Sequence, residues 1–328
     1  MSILAVGDEP ESFSSFFTGN TQTSLKYPGQ RGGVSATTTG SVIWTLVLSS
    51  AVSECWVHAL MNPSTSTSTT TPLISFYNSG TSKDALRILQ TATSTANDAN
   101  MSVRYNNTGT TYTEIARFYF TSNATGAEID IYFKRGASGV LKIFINGRLV
   151  VSETGNYSTV DTTWDTIRFG ANSATAVEYG GVIVADEPTL NMVLDHLSPN
   201  ASGTYSDWTG SYTDLADVTG APAVNAATYI DSNTAAQKFS ANYDTMDALA
   251  TSREIKAVQL SARGIIESGS SITSVSFMSR HSSTDYTHNN LGLGTSDASA
   301  RQVFALDPAG GAWSESDVNA IEFGVLTA

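Results

Sequence analysis

The sequence predicts an all-β chain of two sandwich-like domains, and three observations carry that expectation. First, apolar residues alternate with polar ones. Ile129, Ile131 and Phe133 are interleaved with Glu128, Asp130, Tyr132 and Lys134, and Leu141, Ile143 and Ile145 with Lys142, Phe144 and Asn146, where Phe144 alone is apolar. A period of two sends successive side chains to opposite faces of a strand, so one face enters a core. Second, Asn146-Gly147 stands between two such runs. Asn-Gly suits a two-residue hairpin turn because both turn positions need φ > 0. Third, only 14% of the 328 residues are charged, against ~25% in an average soluble domain. Thr, Ser, Asn and Gly take their place, as suits pleated, half-exposed faces joined by many turns.

Taken in order, the predicted strands of the first domain are 42–48, 55–61, 73–77, 85–90, 101–105, 114–121, 128–134, 141–145, 148–151, 166–170 and 181–185. The Ser/Thr run Ser64–Thr71, closed by Pro72, reads as a loop between two of them. Residues 1–190 show no helical period. A boundary is expected in 186–200, where Asp186-Glu187-Pro188 ends one strand and Ser198–Gly203 is turn-rich. That gives domains 1–190 and 191–328, with Leu190–Leu197 read as the first strand of the second. Further strands are expected at 227–231, 236–240, 255–266, 274–281, 302–306 and 320–325, with a short helical turn at 246–252. Ser314-Glu315-Ser316-Asp317 has capping-box spacing and predicts one helical turn before the last strand. No fixed-period repeat points to a solenoid or propeller.

Charge narrows the partners. The formal net charge is −13; residues 1–190 carry 11 basic and 15 acidic side chains, and residues 191–328 carry 6 and 15. Neither half has the clustered Lys and Arg of a nucleic-acid binder, so no nucleic acid is expected. No run of ~18 apolar residues predicts membrane insertion, and Met1–Asp8 lacks the basic and apolar regions of a secretory leader. One cysteine, Cys55, makes no internal disulfide, which fits assembly in a bacterial cytoplasm. The sequons at Asn106, Asn123, Asn156 and Asn200 read as incidental to a Thr/Ser-rich chain.

Glu128-Ile-Asp130-Ile-Tyr132 is the one motif that argues for chemistry. Laminarinase-type glycoside hydrolases carry Glu-x-Asp-x-Glu on a jelly-roll strand, where period two sends all three carboxylates into the cleft. Here Tyr132 stands where the second Glu would be, so the proton donor is missing, and no glycosidase activity is expected. The competing reading is an ordinary strand with a polar outer face. None of His58, His196, His281 and His288 forms His-Glu-x-x-His spacing; His58 reads as a core or edge residue, His281 and His288 as exposed. Asp161, Asp165 and Asn172 could hold calcium on loops, but the EF-hand spacing is absent. Neither a Gly-x-Ser-x-Gly elbow nor a Walker loop occurs, and Cys55 sits in an apolar run that keeps its thiol inert. Trp44 and Trp56 read as core; Trp164, Trp208 and Trp313 are the candidates for stacking on sugar, with packing the favoured role for each. No catalytic, cofactor-binding or metal-binding residue and no cofactor is therefore assigned.

Two sets of segments carry a resemblance. Gly139–Val151, Trp164–Gly170 and Glu178–Asp186 resemble the closing strands of a concanavalin-A-like (laminin-G-like) jelly roll, in which a Gly-x-Leu-x-Val-x-x-Asn/Asp-Gly hairpin precedes an Ile-x-Phe-Gly strand. Leu197–Pro199, Tyr205–Gly210, Ala227–Asp231, Lys256–Leu260, Pro308–Trp313 and Val318–Val325 follow in an order similar to the C-terminal part of tailed-bacteriophage virion proteins that begin with such a domain. The resemblance implies a structural component of a virion (tail, fibre or head surface). The lack of a catalytic or cofactor constellation, of a secretion signal and of disulfides, together with the low charged fraction, adds the expectation of a homo-oligomer docked on other virion proteins and assembled in the host cytoplasm. A carbohydrate-binding module for host-surface glycan is the alternative, and a laminarinase-like hydrolase stands behind both.

Overall fold

Alternating apolar positions become paired strands across most of the chain. The computed structural model describes residues 3–7, 22–23, 35–38, 43–63, 72–95, 98–106, 109–121, 126–158, 163–170, 177–195, 197–215, 229–246, 254–296 and 298–328. The expected loop Ser64–Thr71, Asn123, Asp161, Asn172, His196 and positions 247–252 of the expected helical turn lie outside them. The chain divides into two units, Met1–Leu194 and Asp195–Ala328.

In the first unit the strands are β1 (Ile3–Gly7), β2 (Gln22–Thr23), β3 (Ser35–Thr38), β4 (Ile43–Val52), β5 (Glu54–Pro63), β6 (Pro72–Asn78) and β7 (Lys83–Thr95). They continue as β8 (Asp98–Asn106), β9 (Tyr112–Thr121), β10 (Ala127–Lys134), β11 (Gly139–Ile145), β12 (Arg148–Gly155), β13 (Trp164–Gly170) and β14 (Val177–Ala185). An eight-stranded sheet runs β12-β11-β10-β5-β14-β3-β2, with β1 also on β14; a six-stranded sheet runs β4-β13-β6-β7-β8-β9. The predicted hairpin forms between β11 and β12, with Asn146 at φ 48° and Gly147 at φ 74°.

The inward residues of both sheets meet in one core. Val57, Ala59, Ile129, Ile131, Leu141 and Val184 from the large sheet join Leu46, Ile74, Phe76, Leu86, Val103 and Phe120 from the small one. Phe133 is its aromatic centre: it is fully buried, with ring centroids 5.2 Å from Trp164, 5.5 Å from Phe76, 5.8 Å from Tyr157 and 6.5 Å from Tyr105.

In the second unit, β15 (Pro199–Ser206), β16 (Lys238–Tyr243), β18 (Val275–His281), β19 (Thr284–Asn290) and β21 (Glu322–Thr327) form a sheet of order β15-β16-β21-β18-β19. β17 (Val258–Gly264) and β20 (Ala298–Phe304) form a separate ribbon. Leu260, Phe277, Trp313, Val318, Ile321 and Phe323 make the core of this unit. The helix α1 (Glu315–Ala320) starts at the predicted place. Ser314 Oγ accepts from the Asp317 amide, and Asp317 accepts from the Ser314 amide at 3.0 Å.

Three expectations are corrected. Leu190–Leu197 forms no strand over its described residues; pairing begins instead at Pro199, inside the stretch read as turn-rich. β15 is an edge strand of small and polar residues, so hydrophobic alternation could not reveal it. Its partner Glu322 accepts from the Thr204 amide and hydroxyl, both at 2.6 Å, and from Ser240 Oγ at 2.7 Å. The expected strand 227–231 also fails where it is described: Asp231 makes only an isolated bridge to Thr209. At Gly324 the strands approach so closely that a Cβ would overlap the Phe239 carbonyl oxygen, so the position admits only glycine.

Candidate functional site

The outer face of the eight-stranded sheet carries the Glu128-Asp130-Tyr132 motif of the first unit. Inward positions on β5 and β10 are Cys55, Val57 and Ala59, and Ile129, Ile131 and Phe133. The intervening residues, Glu54, Trp56 and His58, and Glu128, Asp130 and Tyr132, therefore point the other way. Pairing aligns them in rows, with Trp56 opposite Tyr132, Tyr132 opposite Lys142, His58 opposite Asp130, and Asp130 opposite Phe144.

Two arrangements result. The first is a ledge of three half-buried rings. Trp56 stacks on Tyr132 at 4.9 Å and 28°, and on Phe144 at 5.9 Å and 29°. Tyr132 donates its hydroxyl to Glu54 Oε1 at 2.5 Å, and Lys134 Nζ lies 3.3 Å from Glu54 Oε2. Desolvation, then the hydrogen bond and charge of Glu54, push the Tyr132 phenol up to about 12, so it stays neutral at physiological pH.

The second is a closed polar group. His58 Nδ1 lies 2.8 Å from Asp130 Oδ1, and Thr189 Oγ1 donates to the same oxygen at 2.7 Å; all three residues are fully buried. Thr189 belongs to the segment after β14, which crosses the sheet here. Asp130 Oδ2 is also buried and has no hydrogen-bond partner. The expected polar outer face of an ordinary strand is thus corrected at Asp130, where the strap removes it from solvent.

This geometry bears directly on two-carboxylate hydrolysis. Glu128, Asp130 and Tyr132 do share one face, as the period predicts. Asp130 is enclosed, however, and Glu54, the carboxylate beside Tyr132, pairs opposite Lys134, six residues along β10 from Glu128. At ~3.3 Å per residue that is about 20 Å, far beyond the ~5–9.5 Å such mechanisms use.

Other candidates resolve individually. Cys55 is buried and its thiol is pushed up to about 12, by desolvation first and by the Glu54 charge, with the neighbouring Trp164 working the other way. Asp165 accepts from the Ser79 amide at 3.0 Å and from Thr166 Oγ1 at 2.9 Å, and bonds Ser79 Oγ as well. No group of three or more His, Cys, Asp or Glu that could hold a metal occurs among the described residues. Nor is any described helix long and apolar enough to cross a membrane. His281 and His288 are corrected from exposed to packed. His281 Nε2 lies 3.4 Å from Asp317, and half-buried His288 bonds Ser279 at 2.7 Å and meets Phe304 edge-on at 4.6 Å. Of the tryptophans, Trp164 and Trp313 take the packing role expected of them, and Trp56 departs from its reading. Trp164 is fully buried, Trp313 is core and donates to the Phe304 carbonyl at 2.9 Å, and Trp208 is half-buried. Trp56, read as core, is the one on a ledge. Every residue of Cys55–Met61 except His58 is apolar, so the face was ambiguous; Glu54, His58 and Asn62 mark the outward register and could have placed Trp56 with them.

The second unit carries its own charged cluster. Asp285 accepts from Lys238 Nζ at 2.7 Å, Arg280 Nη1 at 2.5 Å and Tyr205 Oη at 2.5 Å. Desolvation works to raise the Asp285 carboxyl, but these hydrogen bonds and the Lys238 charge outweigh it and hold it at about 2. The sign follows: the stabilisation is complete above the unfolded value of about 3.9 and is lost as pH falls through 2. Asp285→Asn is expected to lower the stability of this unit by about 1 kcal/mol near pH 6, since the site is partly solvated, and to flatten its loss between pH 4 and 2. Urea unfolding at pH 6, 4, 3 and 2 checks this; an unchanged pH slope in the variant would refute it.

No protein-family model matches the chain, and no curated protein matches it significantly. Among solved structures, a Trichoderma reesei endo-β-1,4-glucuronan lyase aligns at TM-score 0.40 and 14% identity over 57% of this chain and 96% of the lyase. The globular domain of T. cruzi calreticulin aligns at 0.39 and 9%, over 58% and 86%. The receptor-binding domain of botulinum neurotoxin type G aligns at 0.34 and 12%, over 54% and 42%. An HCR/D mutant aligns at 0.37 and 11%, over 56% and 47%, so the chain spans under half of these last two. Likenesses this distant say nothing of what the chain binds. Its all-β architecture, a jelly-roll-like sandwich followed by a second β-rich unit, is read from its own strand pairing.

Proposed function

We propose that this chain is a non-enzymatic surface component of a bacteriophage particle, and that it contacts host-surface glycan through the Trp56–Tyr132–Phe144 ledge. The observation that carries the glycan reading is the ledge itself. Three rings lie half-buried on an outer sheet face, stacked on one another and fringed by Glu54, Lys134 and Lys142. Aromatic rings with apolar faces and polar edges supply contact area at low entropic cost, and sugar rings present C–H faces that such a ledge can cover. The virion reading is supported by the sequence resemblance across both units and by the low charge fraction of 14%, which suits surfaces buried in permanent contacts. On this reading the protein is a homo-oligomer that docks on other virion proteins, with closed symmetry the general expectation.

Array binding with the full chain tests the ledge. Retention of one or more neutral bacterial glycans is expected, with at least a tenfold loss in Trp56→Ala. A Trp56→Ala variant that folds and binds undiminished would remove the ledge from the proposal. Mass spectrometry of purified particles, with ultracentrifugation of the isolated protein, tests the virion role. Absence from particles together with a strict monomer would end it.

A further inference from the structure

The opposite face of the sandwich has a different chemistry. Register places Arg168 opposite Ser75, Ser75 opposite Arg87, Arg87 opposite Arg104, and Arg104 opposite Glu114. This is one straight row across β13, β6, β7, β8 and β9. Their strand neighbours Ile167, Phe169, Ile74, Phe76, Leu86, Ile88, Val103 and Tyr105 belong to the core, and Ile115 packs against it, so the row lies on the outer face. Arg117 joins the same face through Glu114, which it contacts at 2.6 Å and which accepts from Ser102 at 2.7 Å. Four of the seven arginines of residues 1–194 thus stand together in a chain of net charge −13. Like charges placed opposite each other on neighbouring strands are destabilising, and Arg87–Arg104 is such a pair. The fold bears that repulsion with two acids, Asp84 and Glu114, against four cations.

The arginines are held in place and their donors are only partly engaged. Arg87 lies over the Tyr112 ring, 3.7 Å from its centroid, and Arg168 stacks over Tyr77. Arg87 Nε donates to buried Asp84, which also accepts from Ser75 Oγ at 2.8 Å. Arg168 Nη1 approaches Asp84 only to 4.0 Å, and its Nε is buried with no hydrogen-bond partner. Between them lies a pocket of about 180 Å³ lined by Ile43, Pro72, Ser75, Asp84, Arg87 and Arg168.

We propose that this arginine row binds the carboxylate groups of an acidic polysaccharide, one sugar unit seating in the pocket between Arg87 and Arg168. The planar guanidinium fork matches a carboxylate in bidentate fashion. The pocket is smaller than the ~300–1,000 Å³ that encloses a drug-sized ligand, so it takes one unit of a longer chain. Ile43 and Pro72 give the ring an apolar wall. Neighbouring strands are ~4.8 Å apart, so the cations recur at intervals of about 5–10 Å, a spacing for sparse charges. A duplex with one charge per ~1.7 Å would instead meet the net repulsion of the chain around four arginines.

The site is separate from the Trp56 ledge, and the two stand or fall independently. The test is binding of the full chain to polygalacturonate, its fully methyl-esterified form, dextran sulfate and a single-stranded oligonucleotide at 50 and 500 mM NaCl. Expected are binding to polygalacturonate that weakens at high salt, at least tenfold weaker binding to the ester, and weaker binding to the other two polyanions. Arg87→Gln with Arg168→Gln should lower polygalacturonate affinity at least tenfold, and Arg104→Gln alone severalfold, while Trp56→Ala leaves it unchanged. Circular dichroism confirms folding, and Arg104→Gln, whose side chain supports no ring, keeps the test decisive if the double variant fails to fold. Equal binding of all polyanions, equal binding of the ester, or full affinity in the folded arginine variants would each overturn the proposal.

Discussion

Phe133→Ala is expected to destabilise the first unit by about 3–5 kcal/mol, the range for removing a large aromatic from a close-packed core. The residue is fully buried and its ring meets Phe76, Tyr105, Tyr157 and Trp164 at once, drawing on both sheets of the sandwich and the loop after β12. No single neighbour can fill the void without leaving the others, so the cavity term stays large. In a unit of this size each kcal/mol shifts Tm by about 2–4 °C, which gives a fall of about 6–20 °C. Phe133→Leu keeps most of the volume and should lose under half as much. Trp44 and Trp164 are both buried in this core, so tryptophan fluorescence reports on it during urea unfolding. A midpoint shift with unchanged m value is the expected form. A loss below 1 kcal/mol would mean that the aromatic centre is not the keystone the ring distances describe.

How much of this was legible in the sequence depends on whether one face of a strand is apolar. β10 and β11 were, because Ile129, Ile131, Phe133, Leu141 and Ile143 alternate cleanly and Asn146-Gly147 fixes the turn. The α1 start was legible for a local reason: capping satisfies backbone donors within four residues and needs no tertiary context. β15 and β19 were not. Pro199–Ser206 and Thr284–Asn290 are edge strands of small or polar residues, and their pairing is set by the neighbour they join. The turn between β18 and β19 was hidden as well, since Ser282 and Ser283 take φ of 50° and 67° without a glycine or asparagine to announce it.

The candidate sites follow the same logic. Sharing of a face by Glu128, Asp130 and Tyr132 was legible from period two alone. The ledge and the arginine row were not, because each assembles side chains from three or more strands whose register lies in pairing partners far apart in sequence. Trp56 meets Tyr132 from 76 positions away, and Arg168 meets Ser75 from 93. Burial of His58 and Asp130 was equally hidden: the residue that closes them in, Thr189, sits in a segment that reads as a boundary between domains.

That closure makes a second large effect. Asp130→Ala removes the acceptor shared by His58 Nδ1 and Thr189 Oγ1 and leaves both polar groups buried. Stripping one member from a buried group is far more damaging than replacing the whole group with apolar residues, and a loss of about 3 kcal/mol is expected. Asp130→Asn keeps an oxygen for Thr189 and should recover part of the loss. Thr189→Val keeps the shape and removes one donor, at about 1 kcal/mol. The two sites are in contact, so the double variant should fall short of additivity by more than 0.5 kcal/mol. The strap gives a second readout. If Asp130 pins Thr189, amides of residues 187–194 should exchange faster in Asp130→Ala, and proteolysis in that window should quicken by more than global destabilisation accounts for. Exchange in the strap that changes no more than in β10 would show that the pair stabilises the sheet without holding the segment that covers it.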